Sequence, residues 1–283
     1  MIETHQKPSI SAVIIAKNED QMIANCIETL RWCDEIVVID NGSEDATASL
    51  AESLGARVVN FKSPHFDKLR EEGLKRTKTD WIFYVDADER VTPILAKEIM
   101  VQLETSPASA IRMRRQNVLY GSHFHHGGWQ NEYVTRVFKR KDLKNWQGVI
   151  HESPVFEGEL ITVHSPLTHF THRSVIQGLS KTIAWTPLEA KLLYEANVSP
   201  VTVMTLLRKG IMEFIRRAYF QKGYQDGMPG MIEALTQGIN RMLVYMQVWE
   251  LQQNPSIEDL YKKEEVEIAN LWQKEPVQKG MAL

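Results

Sequence analysis

Trp81-Ile82-Phe83-Tyr84-Val85-Asp86-Ala87-Asp88-Glu89-Arg90 changes character halfway along. Its first five residues are apolar, aromatic or β-branched, the composition of a strand buried on both faces. Three of the next four are acids: Asp86, Asp88 and Glu89. A parallel strand that finishes in carboxylates presents them at the edge of the sheet where open α/β folds bind ligands. Asp86 and Asp88, with only the small Ala87 between them, have the oxygen chemistry to share a hard divalent cation. Mg2+ or Mn2+ held in this way completes its shell with phosphate oxygens and water. The plainer reading is an acidic loop that leads into a helix, with Thr92 as N-cap and Pro93 at the first helical position.

Upstream, strands and helices alternate. Ile10 to Ala16 (ISAVIIA), Glu35 to Asp40 (EIVVID) and Arg57 to Phe61 read as strands. Between them lie a helix with Met22, Ile23, Cys26, Ile27 and Leu30 at helical spacing, and an Ala-rich helix from Asp45 to Leu54 stopped by Gly55. A further helix runs from Phe66 to Lys78 and leads into the Trp81 strand. Such alternation implies a parallel sheet covered on both faces, a Rossmann-like nucleotide-binding half. The loop after the first strand is Lys17-Asn18-Glu19-Asp20, without the Gly-x-Gly-x-x-Gly of a dinucleotide dehydrogenase. Asp40 closes the second strand. It suits a ribose hydroxyl or a base N–H, and equally an Asx turn onto its own backbone near Gly42.

Composition sets the outer bounds. The 283 residues are 43% hydrophobic and 24% charged, ordinary values for a globular protein. A net charge of −3 argues against a general nucleic-acid binder. Cys26 and Cys33 fall on one expected helix and form no disulfide framework, so reduced thiols and a cytoplasmic setting are expected. The first nine residues carry no signal-peptide core, and no apolar run approaches the ~18 residues of a membrane span.

Downstream, Ala110 to Tyr120 reads as a strand, followed by His123, His125 and His126 with Gly127, Gly128 and Trp129. No cysteine or fourth ligand stands nearby at zinc-site spacing, and the glycines beside Trp129 suit a mobile wall against a sugar ring. From Arg112 to Lys144 eight basic residues face two acids, a field that steers anionic partners. Trp146 to Ser153 (WQGVIHES) reads as a strand ending in His151 and Glu152. Helices are expected at Ser174–Tyr194, 200–222, 230–252 and 257–272, punctuated by Pro200, Gly223 and Pro255. The stretch from Pro200 to Lys222 has too many apolar residues for one narrow core stripe, and five basic residues against Glu213. It reads either as an interfacial helix on anionic lipid or as core packing of a helical extension.

IIAKNE, VVIDNGSEDAT and WIFYVDADERV, in this order and spacing, resemble the family 2 glycosyltransferases of GT-A fold, and within them bacterial lipopolysaccharide-core-type enzymes. The resemblance implies an α/β, mostly parallel central sheet over residues 1–172, with a nucleotide-sugar half near 8–105, an acceptor half near 106–172 and a helical extension over 173–283. It implies that Ala16, Asn18, Glu19 and Asp40 hold the nucleotide, while Asp86, Ala87 and Asp88 meet ribose, metal and diphosphate. Arg70 would face the nucleotide-sugar. Relatives often carry Gln-Arg-Asn there, and this chain has Leu69-Arg70-Glu71. Trp129, Arg136, His151 and His169 fall on the acceptor or diphosphate side. His169 has a structural reading as well. Glu152 falls in the region of the catalytic base, and has an alternative as a surface acid. The expected activity is inverting, divalent-cation-dependent transfer from a nucleotide-diphosphate sugar, a UDP-sugar being the first choice, to a glycan or lipid-linked acceptor of the cell envelope. A peripheral position on the inner face of the cytoplasmic membrane goes with it. A polyprenyl-phosphate glycosyltransferase and a non-catalytic carbohydrate-binding protein are the competing readings.

Overall fold

The computed structural model describes residues 7–147 and 153–274. It divides the chain into two compact units, Met1–His125 with Trp129–Arg173, and His126–Gly128 with Ser174–Leu283. The first unit is the sheet. Its elements are β1 (Ile10–Ala16), α1 (Ile23–Glu28), β2 (Glu35–Asp40), α2 (Thr47–Ser53), β3 (Arg57–Asn60), α3 (Phe66–Arg76), β4 (Trp81–Asp86), β5 (Glu89–Arg90), α4 (Pro93–Thr105) and β6 (Ala110–Leu119). Then follow β7 (Ser122–His123), β8 (Tyr133–Lys139), β9 (Leu143–Gln147), β10 (Ser153–Phe156), β11 (Leu160–Thr162) and β12 (Leu167–Phe170).

The strand order is β3-β2-β1-β4-β8-β6-β12-β5, with β7 and β11 paired to β6 and a separate β9–β10 pair. The first four are mutually parallel, the order of a nucleotide-binding half. β8 then runs antiparallel to β4 and β6, and β12 parallel to β6, so the sheet is mixed although mostly parallel. Alternation along the central strands fills both faces. Ile14, Phe83 and Val85 pack with Ile23, Ile27 and Leu95 on one side, and Val13, Ile82 and Tyr84 with Leu69 and Trp146 on the other. The register Ala16↔Asp40 and Ile15↔Asp86 brings the ends of β1, β2 and β4 to one edge.

Some local expectations shift. The helix expected at Asp45–Leu54 is shorter, and that at Phe66–Lys78 ends at Arg76. Cys33 lies beyond α1 rather than on it, and both thiols are free. Glu89, read as part of an acidic stretch leading into a helix, is a fully buried strand residue; the helix begins at Pro93, with the Thr92 side chain accepting from Leu95 N–H.

The second unit is helical: α5 (Val175–Glu195), α6 (Val203–Ile215), α7 (Gly227–Leu251) and α8 (Ile257–Lys274). The single helix expected from Pro200 to Lys222 starts at a Thr202/Thr205 capping box, passes into a π-helical turn at Arg216–Phe220 and stops where Lys222 is left-handed, φ 59°. α7 begins at Gly227 rather than Gly230, because Pro229 occupies a first-turn position whose N–H needs no partner. The loop His126–Gly128 belongs to this unit. Asp226 accepts from His126 N–H (2.8 Å) and meets its Nδ1 (2.9 Å), and Gly127 N–H donates to Gln221 O (2.8 Å). Among the described residues no helix is long and apolar enough to cross a membrane.

α6 and α7 cross where both are glycine. A Cβ on Gly238 would stand 3.0 Å from Gly210 O and 3.3 Å from Phe214 Cβ, neither of which can swing aside. Gly238→Leu is therefore expected to destabilise the helical unit by about 1–3 kcal/mol through overpacking. Scanning calorimetry reads this directly, and an unchanged Tm would mean that the helices do not pack this closely.

Candidate functional site

The acids of the decisive stretch are positioned by three strands in register. β5 pairs antiparallel with β12, placing Glu89 beside His169, and β12 pairs parallel with β6, placing His169 beside Asn117. Phe170 N–H donates to Asp88 O (2.8 Å), so the turn after β4 is fastened to β12.

Asp86 and Asp88, expected as a metal pair, have different partners. Asp86 Oδ2 accepts from Arg136 Nη2 and from Arg115 Nη2 (3.3 Å), and its Oδ1 faces Arg70 Nη2 at 3.6 Å. Burial pushes its carboxyl up, but the Arg136, Arg70 and Arg115 guanidiniums outweigh it and hold the group well below the usual carboxylate range. Beneath it, Glu89 Oε1 accepts from Arg115 Nη2 (2.5 Å) and Arg136 Nη2 (2.7 Å), and Oε2 accepts from Asp86 N–H (2.9 Å). Burial opposes charge on Arg136, and the carboxylates of Asp86 and Glu89 more than restore it. Asp86 is thus a permanent anion and a fixed hydrogen-bond acceptor, unsuited to moving protons.

Asp88 has a different neighbour. Its Oδ2 lies 3.3 Å from His169 Nε2. Asn117 Nδ2 donates to Glu132 Oε2 (2.8 Å), which turns Asn117 Oδ1 toward His169 Nδ1 at 2.7 Å. A proton on Nδ1 satisfies that contact and leaves Nε2 facing the Asp88 carboxylate. A proton on Nε2 or a metal ion between the two would each satisfy this second contact. An imidazole fixed by a hydrogen bond at its far nitrogen is the usual arrangement of a metal-ligating histidine. The donor set therefore fits a divalent cation at Asp88 and His169. Among the described residues no group of three or more His, Cys, Asp and Glu side chains gathers as a metal cluster, so phosphate oxygens and water would supply the other ligands.

Arg70 is buried and stacked over the Trp146 ring (4.7 Å) and the Tyr84 ring (5.6 Å). Arg70, Asp86, Arg115, Arg136, Trp146 and Ser153 line a cavity of about 460 Å³. Arg136 Nε and Trp146 Nε1 are buried there with no hydrogen-bond partner among the described residues. Trp129 stands edge-on to His172 at 5.9 Å and its carbonyl meets Asn117 Nδ2 at 3.5 Å, so the asparagine that orients His169 also touches the expected acceptor-side residue. His151 and Glu152 lie outside the described residues. Two other acids flank this segment: Glu132 has both oxygens taken by Arg115 and Asn117, and Glu157 is an exposed partner of Lys144.

On the nucleotide side, Asp40 is buried and accepts from Gly42 N–H (3.2 Å) and Ser43 N–H, which is the Asx-turn alternative read from the sequence. Asn18 and Glu19 are laced to that turn: Asn18 N–H donates to Ser43 Oγ (2.9 Å), Asn18 Oδ1 accepts from Glu44 N–H (2.8 Å), and Glu19 N–H donates to Thr47 Oγ1 (2.7 Å). Ala16 and Ala87 are buried at the strand ends. Sequence reasoning missed Glu89, Arg115 and Asn117. The available signal was charged and amide side chains inside the apolar pattern of β6 and β5, since buried polar residues are seldom idle.

The family model for glycosyl transferase family 2 matches residues 11–157, just over half of the chain. The lipopolysaccharide core biosynthesis glycosyltransferase LpsC of Rhizobium meliloti is 27% identical over 266 residues, 89% of this chain and 97% of that protein. An uncharacterized glycosyltransferase of Rickettsia bellii is 27% identical over 271 residues, 87% and 89% of the two chains. Among solved structures, glucosyl-3-phosphoglycerate synthase from Mycobacterium tuberculosis in complex with Mn2+, uridine-diphosphate and phosphoglyceric acid aligns at TM-score 0.42 and 18% identity, over 68% of this chain and 80% of that one. A superposition at that score carries no property across. The family match runs through β10 and takes in Asp40, Asp86, Asp88 and Glu89, and the chain belongs to glycosyl transferase family 2, a glycosyltransferase of GT-A fold with a C-terminal helical region.

Proposed function

We propose that the protein is an inverting, divalent-cation-dependent glycosyltransferase that moves a sugar from a nucleotide-diphosphate sugar to a glycan or lipid-linked acceptor in cell-envelope polysaccharide synthesis. The observation that carries this reading is the Asp88–His169 pair, two residues along the chain from Asp86, which with three arginines walls a cavity. The loop Ala16, Asn18, Glu19 and Asp40 would receive the nucleoside. Asp88 and His169 would hold Mg2+ or Mn2+, which when bound supplies positive charge to the departing diphosphate. Arg70, kept rigid by Trp146, faces the same cavity, and ionised Asp86 offers a fixed acceptor to donor hydroxyls. The acceptor hydroxyl oxygen attacks the anomeric carbon as the bond to the diphosphate oxygen breaks. The bonding pair leaves with the diphosphate, and the hydroxyl proton passes to Glu152. Ser153, bonded to Glu152, lines the cavity, which supports that assignment. The LpsC similarity supports a lipopolysaccharide-type acceptor, and with it a peripheral position at the membrane surface.

Nucleotide binding tests the reading most simply. UDP at 100 times its Kd is expected to stabilise the fold by about 2.7 kcal/mol with Mn2+ present, and by far less with chelator. Thermal shift reads both states, and NMR of the product from an α-linked donor should show a β linkage. Indifference of Tm to every nucleoside diphosphate with Mn2+ would sink the proposal.

A further inference from the structure

α6 leaves a broad apolar side exposed. Val203, Met204, Leu207, Ile211 and Met212, and Phe220 in the turn that follows, are 44–82% exposed. The side of the same helix that packs inward mixes Leu206 and Phe214 with charge. Lys209 lies over the Tyr245 ring at 5.0 Å, Glu213 binds Arg216 (2.5 Å) and Arg217 (2.7 Å), and Arg217 Nη1 donates to Gly127 O (3.0 Å). A surface helix ordinarily buries its apolar stripe and shows its charges to water. Here glycine at the α6–α7 crossing lets backbone pack on backbone, so Leu206 and Phe214 suffice on the inner side and the other large apolar residues are left exposed. A contiguous apolar strip of this length on a soluble surface marks a binding face.

The chemistry of the strip narrows the partner. From Val203 to Phe220 the exposed charged residues are Arg208 and Arg216, both basic. A groove of about 440 Å³ opens beside this face, where Met212, Ile215 and Phe220 meet Lys209, Arg216 and Arg241, and its one acid, Glu213, is already paired with Arg216 and Arg217. Beyond the π-helical turn, Tyr219 and Tyr224 are half exposed with ring centroids 6.5 Å apart, aromatic side chains of the kind that settle at a membrane–water boundary. A two-fold contact with a second copy would set Arg208 and Arg216 in the same patch as their own counterparts. An anionic bilayer meets both requirements, a medium for the apolar side chains and opposite charge for the arginines.

We propose that the outward face of α6 and the π-helical turn after it is a docking surface for anionic lipid, lying in the plane of the bilayer with Ile211, Met212 and Phe220 at the boundary between headgroups and acyl chains. It rests on the membrane-facing part of the reading above and not on its donor chemistry. The glycine crossing, Leu206 and the Lys209–Tyr245 contact hold the helix to α7 while the exposed apolar side chains enter lipid.

Sedimentation with vesicles tests it in the absence of donor and acceptor. The full chain is expected to partition onto phosphatidylcholine vesicles carrying about 30% phosphatidylglycerol, and less so at high salt. The triple variant Ile211→Gln, Met212→Gln, Phe220→Gln alters exposed side chains only, so its Tm and its Mn2+-dependent UDP shift should match wild type. Its partition should fall at least about tenfold. Arg208→Glu should weaken binding to anionic vesicles and leave neutral ones unaffected. Wild type that stays in solution with anionic vesicles, or a triple variant that sediments like wild type, overturns the proposal. So does a wild-type dimer that the triple substitution converts to monomer without any vesicle binding, which would assign the face to a second copy. Loss of the UDP shift in wild type, with vesicle binding intact, would instead overturn the donor reading and leave this surface standing.

Discussion

Asp88→Ala is expected to abolish the Mn2+-dependent stabilisation by UDP and to lower turnover by roughly 10²-fold or more, the scale on which lost preorganised charge stabilisation is felt. The expectation rests on which carboxylate is engaged elsewhere. Asp86 is held by Arg136, Arg115 and Arg70, so its charge is already spent on the protein's own cations. Asp88 faces Nε2 of a histidine whose other nitrogen is fixed by Asn117. Removing the Asp88 carboxylate leaves Nε2 of His169 as a single neutral ligand, too little to hold a hard cation that prefers oxygen. The fold should survive, because the backbone carbonyl of Asp88, not its side chain, carries the contact to Phe170. Asp86→Ala serves as the contrast: it leaves buried arginines short of a counter-charge, and the main effect expected is loss of stability rather than selective loss of metal response. If Asp88→Ala retains full activity, or wild type turns over in excess chelator, the metal role is wrong.

The nucleotide-binding half of the fold was legible because its strands are buried on both faces and so read as unbroken apolar runs, such as ISAVIIA and WIFYVD. Acids at the ends of such runs announce the site edge. The rest depended on contacts between residues far apart in sequence. Nothing local couples Asn117 to His169, 52 residues away, or Arg136 to Glu89, 47 away; those pairings follow from strand order and register. Glu89 was misread for that reason. An acid following Asp86 and Asp88 and just before a Thr-Pro helix start reads as part of an acidic loop, and only the β5–β12 pairing shows that it is a buried strand residue. The Pro200–Lys222 stretch was legible as unusual, an apolar and basic run too broad for one core stripe. Which side of it faces water was not, since periodicity gives the faces of a helix and not their direction. The glycines at the α6–α7 crossing decide that, by bringing their own side of the helix closest.

Glu152→Gln is expected to leave UDP and Mn2+ affinity nearly unchanged while lowering sugar transfer by about 10²–10⁴, the usual worth of a general base. The assignment comes partly by exclusion. A single displacement that inverts the anomeric centre needs a carboxylate free to take the hydroxyl proton on the acceptor side. Asp86 is kept ionised by three guanidiniums and its oxygens accept from them, so it is a poor proton acceptor. Glu89 is fully buried between Arg115 and Arg136. Glu132 is bound by Arg115 and Asn117, and Glu157 is paired with Lys144 at the surface. Glu152 adjoins Ser153, which lines the Asp86 cavity together with Trp146 from the strand on the other side of the hairpin. Glutamine keeps the size and hydrogen-bonding shape of the side chain and removes only its basicity, so an intact UDP shift with failed transfer separates the base role from a structural one. Hydrolysis of donor by water should fall less than transfer, since water needs less precise placement than a sugar hydroxyl. Wild-type transfer by Glu152→Gln together with failure of Glu132→Gln would move the base to β8's approach and break the assignment.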